Sequence, residues 1–97
     1  MAAAPPGPPP LAAPPADAKL LVRAYLGNAA LGVWRRKQDR AALVEAREHY
    51  VAMLAVQPRN YLAGNNLAWL LAVDFNEPQE AVRIIEQVRG EVAAEEL

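Results

Sequence analysis

Cysteine, serine and threonine are absent from all 97 residues of the chain. Without cysteine there can be no disulfide and no thiolate ligand for a metal. Three common catalytic nucleophiles are therefore missing, and only two lysines, one histidine, three tyrosines and the carboxylates remain. Acceptor sites for Ser/Thr phosphorylation and N-linked glycosylation are missing as well. We therefore expect a protein that is not an enzyme and that uses no cofactor.

Clustered metal ligands are also lacking. The single histidine, His49, has Glu45 one helical turn before it. A zinc site needs several converging ligands, and the chain contains no H-x3-H or HExxH pattern. We predict no metal site, and interpret His49 as a packed or exposed residue on a helix.

An excess of charge of one sign is missing too, because ten Lys/Arg and eleven Asp/Glu give a formal net charge of −1. Nucleic-acid-binding domains usually carry a clustered basic surface, and the only basic cluster here is Arg35, Arg36 and Lys37. No apolar run approaches the roughly 20 residues of a membrane span. The N-terminal residues lack the basic and apolar regions of a secretory signal. We predict neither a nucleic-acid partner nor a membrane span, and the cytoplasm is favoured over other compartments.

Proline is abundant in one place only, since seven of the nine prolines lie in the first seventeen residues. Proline fixes φ and lacks an N–H, so this stretch cannot form the interior of a helix or a central strand. It should sample solvated polyproline II conformations. The sequence predicts a disordered Pro/Ala-rich tail or linker over residues 1–16.

From residue 17 onward the apolar residues recur at helical spacing, which predicts an all-α domain over residues 17–97. A first helix carries the stripe Leu20, Ala24, Gly27, Leu31 and Trp34. A second helix carries Ala46, Tyr50 and Met53 and should end before Pro58, because the residue before a proline is pushed out of the α region. Connections of two to five residues imply antiparallel neighbours.

Two further helices complete this reading. Asn60 is expected to cap the third helix, which runs to about Val73. Asn76 is expected to cap the fourth helix, and Gly90 to weaken or end it. The inner stripe of the fourth helix is predicted to be Ala81, Ile85 and Val88.

One pattern of residues occurs twice along the predicted helices. Ala46 and Tyr50 recur as Ala81 and Ile85, 35 residues later, and Pro58 follows the first pair. The third helix, between the pairs, contains a leucine followed directly by a small residue, Leu67-Ala68. A period of about 34 residues with this order of features is typical of a helical hairpin repeat.

Residues of about 19 to 90 resemble the tetratricopeptide repeat (TPR) family, which has two helices per repeat. The second repeat matches through Gly64, Leu67, Ala68 and Leu71, then Ala81 and Ile85. The first matches through Arg23, Leu26 and Gly27, then Ala46, Tyr50 and Pro58. The resemblance implies repeats of about 19–58 and 60–92, stacked as two antiparallel hairpins in a short solenoid. It also implies that a peptide or a partner helix binds on the concave face.

The register of the first repeat is open. Its leucine–small pair is either Leu26-Gly27 or Leu31-Gly32. The leucine precedes Ala46 by 20 residues in the first choice and by 15 in the second, whereas Leu67 precedes Ala81 by 14. Asn28 would face the groove in one register and not in the other.

The resemblance places the candidate binding residues on the third helix. Asn65, Trp69 and Ala72 share one face, with Asn66 beside them. Asparagine both donates and accepts hydrogen bonds, which suits the backbone of a bound peptide. Trp69 is either an anchor in the groove or a core residue, and the usual burial of large aromatics favours the core. With Asn28, these five residues are the predicted binding site for a protein or peptide partner.

Self-association is the alternative hypothesis. Two repeats are fewer than the three or so that usually give independent stability, and no clearly polar capping helix closes the array. The chain would then be a structural or self-associating fragment of a larger TPR scaffold. A homo-oligomer would form through the open end of the fourth helix.

Overall fold

The computed structural model describes residues 16–90, and four helices account for most of them. They are α1 (Ala16–Lys37), α2 (Arg40–Val56), α3 (Tyr61–Val73) and α4 (Pro78–Val88). Residues 16–90 contain no β-strand, so the predicted all-α class is confirmed. The predicted tail, apart from its last residue, and residues 91–97 of the predicted domain lie outside the described range.

The turn between α1 and α2 contains only two residues. Gln38 has a φ of 54°, and its backbone N–H donates to the Trp34 carbonyl over 2.7 Å. The carboxylate of Asp39 then accepts from the backbone N–H of Ala41 at 3.0 Å, which caps α2. Because the turn is so short and α1 packs along α2, the two helices are antiparallel and form the first hairpin.

Three predicted helix boundaries are confirmed: the end of α2, the N-cap of α3 and the end of α4. Helix α2 ends at Val56, two residues before Pro58. The side chain of Asn60 accepts from the backbone N–H of Ala63 at 3.0 Å and caps α3. Gly90 has a φ of +79° directly after the C-cap of α4, which is the left-handed conformation that ends many helices.

The predicted cap of α4 is wrong. Glu77 occupies the N-cap position without a side-chain hydrogen bond, and Pro78 is the first helical residue. Asn76 instead turns the chain before the helix with a φ of 55°, a conformation that asparagine tolerates better than most residues. Helix α4 packs along α3, and these two helices form the second hairpin.

A glycine allows close approach within each hairpin. A Cβ on Gly27 would lie 2.9 Å from Cε1 of Tyr50, and one on Gly64 would lie 2.3 Å from Cγ1 of Val88. Both glycines belong to the first helix of a hairpin, and both contacting side chains belong to the second. The two hairpins are therefore closed by the same kind of contact.

The core follows the predicted stripes with one change. On α1, Leu20 and Ala24 are buried, and Leu31 and Trp34 pack against the core. On α4 the buried apolar residues are Ala81, Ile84 and Val88, whereas Ile85 is only partly buried. The spacing i, i+3, i+7 keeps the three buried residues on one side of the helix, and Ile85 lies at the edge of that side.

Polar contacts join the two hairpins at both ends. The indole N–H of Trp34 donates to Asp74 Oδ1 at 3.1 Å, which connects the end of α1 to the loop after α3. The side-chain amide of Gln87 donates to the Pro58 carbonyl at 2.7 Å and connects α4 to the loop before α3. Gln87 is buried, so this bond satisfies a polar group that would be costly to bury alone.

Phe75 adds an aromatic contact between the hairpins. The guanidinium carbon of Arg47 lies 4.3 Å from the centre of the Phe75 ring, and that of Arg40 lies 5.3 Å from it. Both arginines are on α2, so a cation–π pair of contacts fixes the α3–α4 loop on the first hairpin.

Candidate functional site

The five predicted site residues fall into two places. Asn28 and Asn66 meet where α1 lies beside α3. Asn65, Trp69 and Ala72 line a groove between α3 and α4. One helix, α3, thus carries residues of both places on neighbouring sides.

The first place is a cluster of amides around a tyrosine hydroxyl. The Tyr50 hydroxyl donates to Asn28 Oδ1, and Asn66 Nδ2 donates to the same oxygen at 3.3 Å. This oxygen therefore accepts from two helices at once. The NH₂ group of Asn28, an exposed residue, keeps its capacity to donate to a bound molecule.

Tyr50 belongs to the site although the sequence reading placed it only in the core. Burial raises the pKa of its hydroxyl above the ordinary value near 10, and the Asn66 side chain and the charge of Arg35 oppose that shift. The hydroxyl therefore stays protonated near neutral pH and acts as a donor to Asn28. Gly27, which lies opposite the Tyr50 ring, is the residue of the sequence that could have indicated this role, because the absence of a side chain there lets the ring reach across α1.

Exposed residues extend from this cluster along both helices. They follow the spacing i, i+4, i+7 on each helix, which keeps them on one side. We call this surface the α1/α3 face: Leu21, Tyr25 and Asn28 on α1, and Leu62, Asn66 and Trp69 on α3. Its four apolar and aromatic members are all exposed, and the Asn28–Asn66 hydrogen bond joins the two rows.

Trp69 is 58% exposed, so the interpretation of this residue as part of the core is wrong. Leu67 and Leu70, on the opposite side of α3, are almost completely buried and already fill the space between the helices. The indole is left on the outer side, between the α1/α3 face and the α3/α4 groove. Of the two readings of Trp69, exposure in a groove is the one that the structure supports.

The α3/α4 groove is mainly apolar and has a volume of about 510 Å³. Its apolar walls are Ala68, Trp69 and Ala72 on α3, and Val82 and Ile85 on α4. Asn65 and Glu86 add polar groups at the rim. The shape and composition suit apolar side chains from a second polypeptide segment.

The two leucine candidates of the first repeat have different surroundings. Leu26 is 44% exposed, whereas Leu31 packs against the core. Leu67, the leucine of the predicted second repeat, is only 2% exposed. Leu26 therefore does not have the buried environment of Leu67.

His49 packs between helices, as one of the expected alternatives stated. Its Nδ1 accepts from the guanidinium of Arg23 at 3.1 Å, and its Nε2 lies 4.0 Å from the Glu45 carboxylate. Among residues 16–90, no group of three or more histidine and carboxylate side chains is arranged to hold a metal ion.

None of the four helices in residues 16–90 has the length and apolar character required to span a membrane.

No family model matches the sequence, and no curated protein or solved structure matches it either.

Proposed function

We propose that this chain is a non-catalytic protein-interaction module of the TPR type, which binds a peptide or a partner helix on the α1/α3 face. The observation that carries the proposal is the exposure of Trp69. A large aromatic side chain that is 58% exposed between amide side chains is the composition of an interaction hot spot rather than of an ordinary solvated surface.

The amide groups supply the polar part of recognition. Asn28 retains an NH₂ donor, and the side-chain oxygen of Asn66, which bonds Asn28, is an acceptor beside it. A peptide backbone offers one donor and one acceptor per residue, so such amides can satisfy it while the apolar rows bury its side chains. The site thus offers both affinity and a fixed orientation.

The relation of α1 to α3 supports the repeat arrangement. Asn28 bonds Asn66, 38 residues later, and Trp34 bonds Asp74, 40 residues later. Because both links run in the same order, α1 and α3 are parallel neighbours. The first helices of the two hairpins then share one face, as the TPR resemblance implies.

The chemistry of the face supports binding without catalysis. Its members are aliphatic, aromatic and amide side chains, with no carboxylate or histidine among them. An active site needs convergent titratable groups that can exchange protons or attack a substrate. The α1/α3 face is suited to contact alone.

The test is a peptide-display selection against the immobilised full chain. Enriched peptides are then synthesised, and their affinities are measured by fluorescence anisotropy. We expect Trp69→Ala and Tyr25→Ala each to weaken binding by about tenfold or more, since truncating a hot-spot residue costs at least 1–2 kcal/mol.

Val56→Ala is the matched control, because Val56 is an exposed apolar residue at the end of α2 and outside the face. It should leave the affinities unchanged. Peptides that bind Trp69→Ala and Tyr25→Ala as tightly as the wild type, with folding intact by circular dichroism, would refute the proposal.

A structural, self-associating role is the second candidate. The observation that favours it is the apolar α3/α4 groove, which adjoins Trp69 and has Val82 exposed in its wall.

A further inference from the structure

The two hairpins correspond residue by residue at their closest contacts. Gly27-Asn28 on α1 recurs as Gly64-Asn65 on α3, 37 residues later, and each glycine touches the second helix of its hairpin. Asn28 receives a hydrogen bond from the helix that follows it in the stack, α3. Asn65 holds the equivalent position on the second hairpin and lines the α3/α4 groove.

The second helices of the two hairpins correspond in the same way. Their equivalent faces differ in how much of the surface is buried. On α4, Pro78, Val82 and Ile85 line the groove. Val88 meets Gly64 as Tyr50 meets Gly27, which sets an offset of 38 residues. The equivalent residues on α2 are therefore Arg40, Val44 and Arg47.

On α2 this face is covered by the second hairpin. Arg40 and Arg47 lie over the ring of Phe75, which belongs to the loop between α3 and α4. On α4 the same face is open, with Val82 55% exposed. The α3/α4 groove is therefore the equivalent of the surface that the second hairpin occupies on the first.

The opposite end of the molecule carries the surface that corresponds to the other side of the contact between the hairpins. On α3, the side that meets the first hairpin includes Ala63, Asn66 and Leu70. The residues 37 positions earlier on α1 are Leu26, Ala29 and Val33.

These two equivalent stripes also differ in cover. Ala63 and Leu70 have no exposed surface, whereas Leu26 is 44% exposed and Ala29 is exposed as well. Helix α1 thus presents, uncovered, an apolar stripe of the kind that α3 buries against its neighbour.

We infer that a second copy of this chain occupies the α3/α4 groove, with the outer stripe of its α1 packed there as α3 packs on the first hairpin. The argument is continuity with an interface that already exists in the chain, since each end presents one half of the contact between the hairpins. The inference rests on the proposed repeat function and names the partner of its self-associating form.

This contact joins two different surfaces, so it is heterologous. A heterologous contact does not close on itself in a pair, and it builds rings or open stacks. A pair held groove to groove, by contrast, would be symmetric and would stop at two copies.

The test uses the full chain and two variants in analytical ultracentrifugation from micromolar to near-millimolar concentration. Leu26→Glu places a charge in the outer stripe of α1, and Val82→Glu places a charge in the α3/α4 groove. We expect the wild type to associate beyond the dimer, and each variant to associate about tenfold or more weakly, because either change buries a charge in the contact.

The decisive measurement is an equimolar mixture of the two variants. Leu26→Glu keeps an intact groove, and Val82→Glu keeps an intact stripe, so together they form one good contact. The mixture should give a heterodimer and nothing larger. Val51→Glu, an equal charge on an exposed valine of α2, is the control and should associate as the wild type does.

Three results would overturn the inference: a wild type that stays monomeric, a Leu26→Glu variant that dimerises like the wild type, or a mixture that does not associate. The second result identifies a symmetric groove-to-groove dimer. Circular dichroism verifies folding, and Ala29→Arg replaces Leu26→Glu if that variant does not fold. Peptide binding by Leu26→Glu separates the two proposals, because Leu26 lies outside the α1/α3 face.

Discussion

At the scale of single residues, the hairpins depend on positions where no side chain fits. A Cβ on Gly64 would meet Cγ1 of Val88 at 2.3 Å, and Val88 is itself buried. Gly32 lies in the same kind of helix, but its Cβ would meet only the flexible end of Arg36, at 3.2 Å.

Alanine at these two glycines should therefore have opposite effects. Gly64→Ala should lower the free energy of unfolding by about 1–3 kcal/mol, because overpacking exceeds the gain in helix propensity. Gly32→Ala should raise it by about 0.5–1 kcal/mol, because only that gain remains. Urea denaturation measures both, and a stabilised Gly64→Ala would show that α4 moves away from α3 without cost.

The buried Tyr50 hydroxyl makes stability depend on pH. Its pKa is raised in the folded chain, so above about pH 10 the unfolded chain loses this proton while the folded chain still holds it. The free energy of unfolding should fall as the pH rises through that range. Tyr50→Phe should lose this part of the pH dependence, whereas Phe at the exposed Tyr25 should retain it.

The residue types of the site were predictable from the sequence, but their grouping was not. The sequence shows asparagines close to an aromatic residue, Asn65 and Asn66 before Trp69, although it did not show that Trp69 is exposed. The meeting of Asn28 with Asn66 could not be read, because it depends on the relative position of helices 38 residues apart.

At the scale of helices, α3 separates folding from binding on its two sides. Trp69 is exposed, whereas Leu67, two residues before it, is 2% exposed. Leu67→Ala should lower the free energy of unfolding by about 2–5 kcal/mol through the cavity it leaves. Trp69→Ala should change it by less than about 0.5 kcal/mol, as surface substitutions usually do. A comparable loss in both variants, measured by urea denaturation, would mean that Trp69 is part of the core.

The N-cap of α3 gives a further stability prediction. Asn60→Ala removes the acceptor for the Ala63 N–H and should cost about 1 kcal/mol. Asn60→Asp keeps an acceptor oxygen at the cap and should retain most of the stability. Thermal unfolding followed by circular dichroism distinguishes the two, and equal losses would point to the Asn60–Gln57 side-chain hydrogen bond instead.

The sequence was most informative about helix ends. Pro58 and Asn60 act through local chemistry, a blocked helical conformation before proline and a side-chain acceptor, so their effects could be predicted. The start of α4 could not be predicted in the same way. Asn76 is used for its left-handed backbone, which packing of the loop requires and no local pattern reveals.

At the scale of the whole molecule, the contacts at the two ends can be followed by hydrogen exchange. In the proposed stack, α1 around Leu26 and α4 around Val82 become covered. Their amides should exchange more slowly at high than at low protein concentration, because opening must also break the contact between copies.

Amides of α2 near Val51 serve as the internal reference and should not change with concentration. The Leu26→Glu variant should show the same slowing only at about tenfold or more higher protein concentration. Slower exchange spread evenly over α1 to α4 would indicate general crowding rather than a defined contact.

Composition and repeat period predicted the class of fold. The exposed surfaces at the two ends of the molecule could be identified only from the structure. The offset of Ala46 and Ala81 predicted a repeated helical hairpin. Leu26 is exposed and Ala63 is buried because only α3 has a neighbouring hairpin on the side in question. A single sequence does not show which helix has such a neighbour.

The contacts between the hairpins also determine geometry on a larger scale. Trp34 with Asp74 and Gln87 with Pro58 lie at opposite ends of the molecule, so they hold the second hairpin at one angle to the first. In a stack built by repeating the same contact, that angle is added at every step. The handedness and pitch of the resulting superhelix would then depend on these two hydrogen bonds together with the Phe75 contact and the core residues buried between the hairpins, and loosening either bond would change the curvature.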